Sequence, residues 1–95
     1  MRKLLNEQKY RISIKGLTDK VSPQLCLVRA ETDENALRNV VKKITHAVQD
    51  QTSPYSKDMT FDDGEFSCPL TPRYAGLLFA YLLDNPEKFK IESIR

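Results

Sequence analysis

The stretch QLCLVRAETDENALRNVVKKITHAV, residues 24–48, decides the fold of this chain. Residues 24–30 contain four consecutive apolar positions, 25–28, which predicts a strand buried on both faces inside a sheet. Thr32 or Asp33 can then cap a helix, because a side-chain oxygen there accepts hydrogen bonds from the free first-turn amides. Apolar residues follow with the 3.6-residue period of an amphipathic helix: Ala36, Leu37, Val40, Val41, Ile44, Ala47 and Val48. We expect this helix to cover one face of a sheet.

An alternating pattern precedes this stretch. Residues 10–15 place Tyr10, Ile12 and Ile14 on one side and polar residues on the other, which is typical of a half-buried strand. Gly16 ends the pattern, and residues 16–23, GLTDKVSP, form a polar loop. We therefore expect the two strands to pair antiparallel.

The second half of the chain has weaker strand signals and one strong helix signal. Residues 59–61 and 65–67 flank Asp62-Asp63-Gly64, which suggests a short hairpin. Thr71-Pro72 predicts a helix start, and the helix should run to about residue 83, since Asp84-Asn85-Pro86 stops it. Residues 89–94, FKIESI, predict a last strand, with a helical turn as the alternative.

These patterns together predict a single α+β domain over residues 1–95, in which residues 1–8 form a tail or one helical turn. The domain should contain a small antiparallel sheet of three to five strands packed against two helices. The expected order is β-β-α-β-(β)-α-β.

Composition excludes several classes of protein. Apolar residues make up 40% of the chain and charged residues 29%, as in globular domains. The longest apolar run, residues 74–83, is about half of what a membrane-spanning helix needs, and the N-terminus lacks the apolar core of a signal peptide. We therefore expect a cytoplasmic protein. Cys26 and Cys68 both stand among apolar residues, which predicts buried free thiols, with a disulfide or reactive thiol as the alternative.

No motif for catalysis, a metal or a cofactor is present. His46 is the single histidine, and no second histidine or nearby cysteine is present to complete a site with it. The three glycines of the chain are too few for a glycine-rich phosphate loop. We therefore predict that the protein is not an enzyme and carries no cofactor.

Charge is divided unevenly along the chain and defines two candidate surfaces. Residues 1–48 hold ten Lys and Arg against five Asp and Glu, whereas residues 49–95 hold five against eight. The candidate basic surface is expected on the outer face of the first hairpin and on the first helix, and it could follow nucleic-acid phosphates or could simply be solvated. It consists of Lys9, Arg11, Lys15 and Arg29 on the hairpin, with Lys42 and Lys43 on the helix. The candidate acidic patch is Asp58, Asp62, Asp63 and Glu65, which is either a solvated turn or a surface that docks on a basic partner.

The second predicted helix is apolar nearly all round, which in so short a chain suggests cover by a second subunit or by the rest of the domain. Tyr74 and Tyr81 are seven residues apart and so share one helix face. Core packing is one interpretation; self-association as a homodimer through Tyr74, Leu77, Leu78 and Tyr81 is the other.

Residues 10–48 resemble small α+β proteins of phages and other mobile elements, of the anti-CRISPR type, in which a hairpin leads through an acidic turn into a helix. The resemblance implies stoichiometric binding to a host macromolecule and carries over no catalytic residue. The leading hypothesis is therefore a non-enzymatic protein that binds another protein, such as an inhibitor of a host protein. The alternative is a nucleic-acid-binding accessory or regulatory protein that uses the candidate basic surface.

Overall fold

The computed structural model describes residues 7–50, 52–55 and 58–94. It shows the predicted α+β domain, with two helices and two antiparallel sheets. The elements are β1 (Gln8–Ile14), β2 (Leu27–Ala30), α1 (Asp33–Gln49), β3 (Thr60–Asp62), β4 (Ser67–Pro69), α2 (Ala75–Asp84) and β5 (Phe89–Ile94). The order of elements confirms the prediction, including the strand at residues 89–94. Of the predicted tail, residues 1–6 lie outside the described part, and Gln8 already belongs to β1.

The larger sheet has the strand order β2-β1-β5, and both pairs are antiparallel. Tyr10, Ile12 and Ile14 of the central strand are buried, as their alternation predicts. The prediction that β2 lies inside the sheet is wrong, because β2 is an edge strand. It is also shorter than predicted, since Pro23–Cys26 forms a 3₁₀ helix before it. Cys26 is buried at the end of that turn. The consecutive apolar residues therefore belong to a turn followed by a short strand, and not to one strand buried on both faces.

Helix α1 follows its sequence pattern closely. Thr32 is the N-cap, and its Oγ1 accepts a hydrogen bond from the Asn35 amide at 3.1 Å. The predicted apolar stripe is buried except for Ala47, which is half-buried. Thr45 is also buried, and its hydroxyl donates to the Val41 carbonyl at 2.9 Å, which satisfies the polar group inside the core.

Side chains of α1 cover the outer edge of β2. Asn39 Nδ2 donates to the Arg29 carbonyl at 3.2 Å, and Lys43 Nζ donates to the Leu27 carbonyl at 2.9 Å. These are the outward carbonyls of an edge strand, which would otherwise be open to pairing with another chain. One edge of the sheet is therefore blocked by the helix that packs on it.

Strands β3 and β4 form the predicted hairpin around Asp62-Asp63-Gly64, with Phe61 opposite Cys68. Both strands lie slightly further toward the C-terminus than predicted, and the connection between them is residues 63–66. Within it, the Asp63 side chain accepts hydrogen bonds from the amides of Glu65 and Phe66. Pro72–Tyr74 is a 3₁₀ turn that leads into α2, which packs against α1. Cys26 and Cys68 are buried free thiols, as predicted, and burial raises the pKa of both.

Neither helix in the described part of the chain is both long enough and apolar enough to cross a membrane.

Candidate binding surface

The outer face of the three-stranded sheet is exposed and basic. Helix α1 packs on the opposite face, over β2 and β1, where Tyr10, Ile12 and Ile14 are buried. Because side chains alternate along a strand, Lys9 and Arg11 point the other way, and both are exposed. No helix of the described residues packs over them. This uncovered face, with its charged side chains, is the candidate binding surface.

The register of the strands brings the cations together. Lys9 lies opposite Arg29 on β2, and Arg11 lies opposite Glu92 on β5. The Arg11 and Glu92 side chains are 3.9 Å apart and more than half exposed, so this ion pair is weak. The other charged residues of this face or its ends are Lys15, Lys90 and Glu7, all exposed. We call the five cations Lys9, Arg11, Lys15, Arg29 and Lys90 the basic sheet face.

The structure does not place the six cations predicted from sequence on one surface. Lys9, Arg11, Lys15 and Arg29 share the basic sheet face, whereas Lys43 binds carbonyls at the β2 edge and Lys42 is exposed on α1. Lys90 was missed. Its signal was the alternation of FKIES, which places Lys90 on the polar side of β5 and opposite Ser13.

The candidate acidic patch is not a continuous surface. Asp63 lies inside the protein, with its side chain fully buried, so it cannot contribute to surface docking. Asp62 accepts a hydrogen bond from the Gly64 amide at 2.9 Å, and Glu65 is exposed but bonded to Lys88. Partner binding by Asp58, Asp62 and Glu65 stays a prediction.

Asp63 belongs to a buried ionic cluster with Tyr81 and Lys88, which sequence reasoning did not find. The Tyr81 hydroxyl donates to Asp63 Oδ2 at 2.5 Å, and Lys88 Nζ lies 3.7 Å from the same oxygen. Asp63 Oδ1 accepts from the amides of Glu65 and Phe66, each at 2.9 Å. The Tyr81 ring stacks on Phe66 with centroids 4.2 Å apart. The cluster joins the β3–β4 turn, α2 and the residue that precedes β5.

The directions of the pKa shifts in the cluster favour a structural role over acid–base catalysis. Burial alone would raise the pKa of Asp63, but hydrogen bonds from Tyr81 and two amides, with the charge of Lys88, lower it to about 2. The hydrogen bond to Asp63, with burial, raises the pKa of Tyr81 to about 12. The hydrogen bond to Glu65 is the main cause that raises the pKa of Lys88. An acid–base catalyst at neutral pH needs the opposite shift, toward 7.

The cluster predicts a specific loss of stability in acid. A carboxylate whose pKa is lowered by folding stabilises the folded state above its unfolded pKa, about 4 for aspartate. As pH falls from about 4 to the folded pKa of about 2, this stabilisation disappears. We expect urea unfolding followed by circular dichroism to show Asp63→Asn clearly less stable than wild type at pH 5. The difference should shrink between pH 4 and 2. An equal difference at both ends of this range would contradict the assignment.

The predicted self-association residues on α2 have unlike environments. Leu78 is buried and cannot reach a second subunit, and Tyr81 is held in the ionic cluster. Tyr74 is half-buried, whereas Leu77 is 51% exposed. His46 is exposed on α1. Across residues 7–50, 52–55 and 58–94, no group of three or more His, Cys, Asp or Glu side chains is placed to hold a metal ion.

Comparison with known proteins adds no relative: no protein-family model, curated protein or solved structure matches this chain.

Proposed function

We propose that this protein is a non-enzymatic binding protein that docks its basic sheet face on an acidic surface of a protein partner. The observation that carries this proposal is that Lys9, Arg11, Arg29 and Lys90 share the uncovered face of one sheet. Glu92 is the one carboxylate within the same three strands. Complementary charge steers such partners together and sets their orientation. The cytoplasm remains the expected compartment.

A sheet face whose aromatic residues point to the core suits a protein surface better than single-stranded nucleic acid. Sheets that bind single strands use exposed aromatic rings on which bases stack. The aromatic residues of the three strands, Tyr10 and Phe89, lie on the side that faces the core. Inhibition of a host protein, as the resemblance to small phage proteins implies, is one form that this function would take.

Nucleic-acid binding is the second candidate, because one groove concentrates three cations. Lys9, Arg29 and Lys43 line a groove of about 410 Å³ between the β2 edge and α1, where a phosphate of a duplex backbone would find positive charge. Lys43 already donates to two carbonyls there, which reduces what it can offer a ligand.

Charge reversal on the sheet tests the leading proposal. A tagged triple variant, Lys9→Glu, Arg11→Glu and Arg29→Glu, should bind the captured partner about tenfold or more weaker than wild type, since each exposed charge pair contributes a fraction of a kcal/mol. The matched control reverses three exposed cations elsewhere: Lys20→Glu, Lys42→Glu and Arg73→Glu. Affinity capture from the native host, followed by titration with the purified partner, measures both.

The outcomes separate the two candidates. Under the leading proposal, captured protein survives nuclease treatment and is lost only in the sheet variant. Release by nuclease, with duplex DNA binding that weakens steeply between about 50 and 200 mM salt, would support the nucleic-acid alternative. Equal capture by the sheet variant and the control variant would contradict a role for the basic sheet face.

A further inference from the structure

The outer edge of β5 is open, although the opposite edge of the same sheet is covered by α1 side chains. The Lys15 amide donates to the Lys88 carbonyl at 2.9 Å. Because an antiparallel ladder alternates, Lys90 and Glu92 also direct their backbone groups toward β1. The amides and carbonyls of Phe89, Ile91 and Ser93 therefore point away from the sheet, and no hydrogen bond from the described residues satisfies them. Such a row is a template for another strand.

The sequence of β5 is self-complementary in one antiparallel register. With Ile91 opposite Ile91 of a second copy, Lys90 lies opposite Glu92 of that copy, and Phe89 lies opposite Ser93. The residues whose backbone groups point outward then meet one another, so the hydrogen-bond phase fits. A register centred one residue away from Ile91 would place Lys90 opposite Lys90, or Glu92 opposite Glu92. Like charges directly opposite each other destabilise a strand pair.

Partly exposed apolar side chains flank this edge. Phe89 and Ile91 lie on the core side of the sheet, opposite Ile14 and Ile12 of β1, yet both are only half-buried. Helix α1 lies over β2 and β1, so the β5 side of the core has less cover. A second copy at this edge would bring its own Phe89 and Ile91 against them and remove apolar surface from water.

We propose that two copies of this chain associate through antiparallel pairing of their β5 strands, with Ile91 at the two-fold axis. The two three-stranded sheets then form one continuous sheet. A two-fold axis perpendicular to the sheet keeps both basic sheet faces on the same side. On that side, Glu92 lies between Arg11 of its own chain and Lys90 of the second copy. The dimer does not depend on what binds the basic sheet face.

Sedimentation equilibrium on the purified full chain tests the pairing. Wild type should be a dimer at about 100 μM. Glu92→Lys gathers four lysines around the axis and should weaken the dimer about tenfold or more, since cross-strand charge pairs change from attraction to repulsion. The double variant Lys90→Glu, Glu92→Lys restores opposite charges and should recover a dissociation constant within about threefold of wild type.

The double variant also controls for folding. Both variants lose the weak Arg11 contact of Glu92, so their thermal melts should agree closely at a protein concentration low enough to keep both monomeric. A wild-type monomer at about 500 μM would overturn the proposal. So would a double variant that dimerises as weakly as Glu92→Lys. Leu77→Glu, on the exposed side of α2, should leave the dimer intact; its dissociation there would assign self-association to α2.

Discussion

Lys88→Met should lower the free energy of unfolding by about 3–5 kcal/mol, because it leaves the Asp63 carboxylate buried without its cation. Lys88 is 7% exposed and Asp63 is 8% exposed, so water cannot replace the lost charge. A domain of this size is stable by about 5–15 kcal/mol, and the variant should therefore unfold at markedly lower urea concentration. Urea titration at pH 7 measures the change.

Three further variants show whether the loss comes from the ionic cluster. Lys42→Met removes an exposed lysine and should change stability by about 0.5 kcal/mol or less. The double variant Asp63→Asn, Lys88→Met should be less destabilised than the sum of the single changes, because the stranded charge is gone. Tyr81→Phe, a milder change, should lose about 1.5–3 kcal/mol with the hydrogen bond to Asp63. Strict additivity in the double variant would contradict a coupled pair.

Gly16→Ala should destabilise the domain by about 3 kcal/mol or more, through backbone strain and a direct clash. Gly16 has φ +83°, a left-handed conformation that costs a residue with a Cβ about 1–2 kcal/mol. A Cβ there would also lie 2.4 Å from the Asp62 carbonyl oxygen and 3.1 Å from the Asp63 Cα. These are backbone atoms, so relief requires the β3–β4 hairpin to move away from the end of β1.

Gly64→Ala is the matched control for this prediction. Gly64 has φ +94°, yet nothing lies within 4 Å of an added Cβ, so only the conformational cost of about 1–2 kcal/mol applies. Each kcal/mol lowers the melting temperature of such a domain by about 4–8 °C. Thermal unfolding should therefore separate the two variants, with Gly16→Ala melting well below Gly64→Ala. Equal melting temperatures would mean that the close approach of the hairpin costs nothing.

Local patterns predicted the elements of this fold, since their causes lie within a few residues. Thr32 caps α1 through the Asn35 amide, three residues away, and the α1 stripe follows from 3.6 residues per turn. The alternation of Tyr10, Ile12 and Ile14 likewise assigned β1 and its buried side. Four members of the basic sheet face were predicted for the same reason, because alternation also determines which side chains point outward.

The β2 prediction shows that local patterns do not determine the position of a strand in its sheet. Consecutive apolar residues indicated an interior strand, but residues 24–26 are in a 3₁₀ turn and β2 is at the edge. Which strand occupies the centre depends on where β5 returns, more than fifty residues later in the chain. Lys90 lies on the basic sheet face because β5 pairs with β1. Its position opposite Ser13 is set only when the sheet assembles.

The sequence by itself determined the α+β class, the two helices, the first hairpin and the basic character of one sheet face, because capping, turn chemistry and periodicity act locally. Only the tertiary structure decided that Asp63 is buried with Tyr81 and Lys88, and that one sheet edge is covered while the other is open. Asp63 and Lys88 are neighbours because the β3–β4 turn lies next to the 3₁₀ turn that precedes β5. Whether a charged side chain is buried, and with which partner, depends on contacts between distant parts of the chain, which local sequence patterns do not contain.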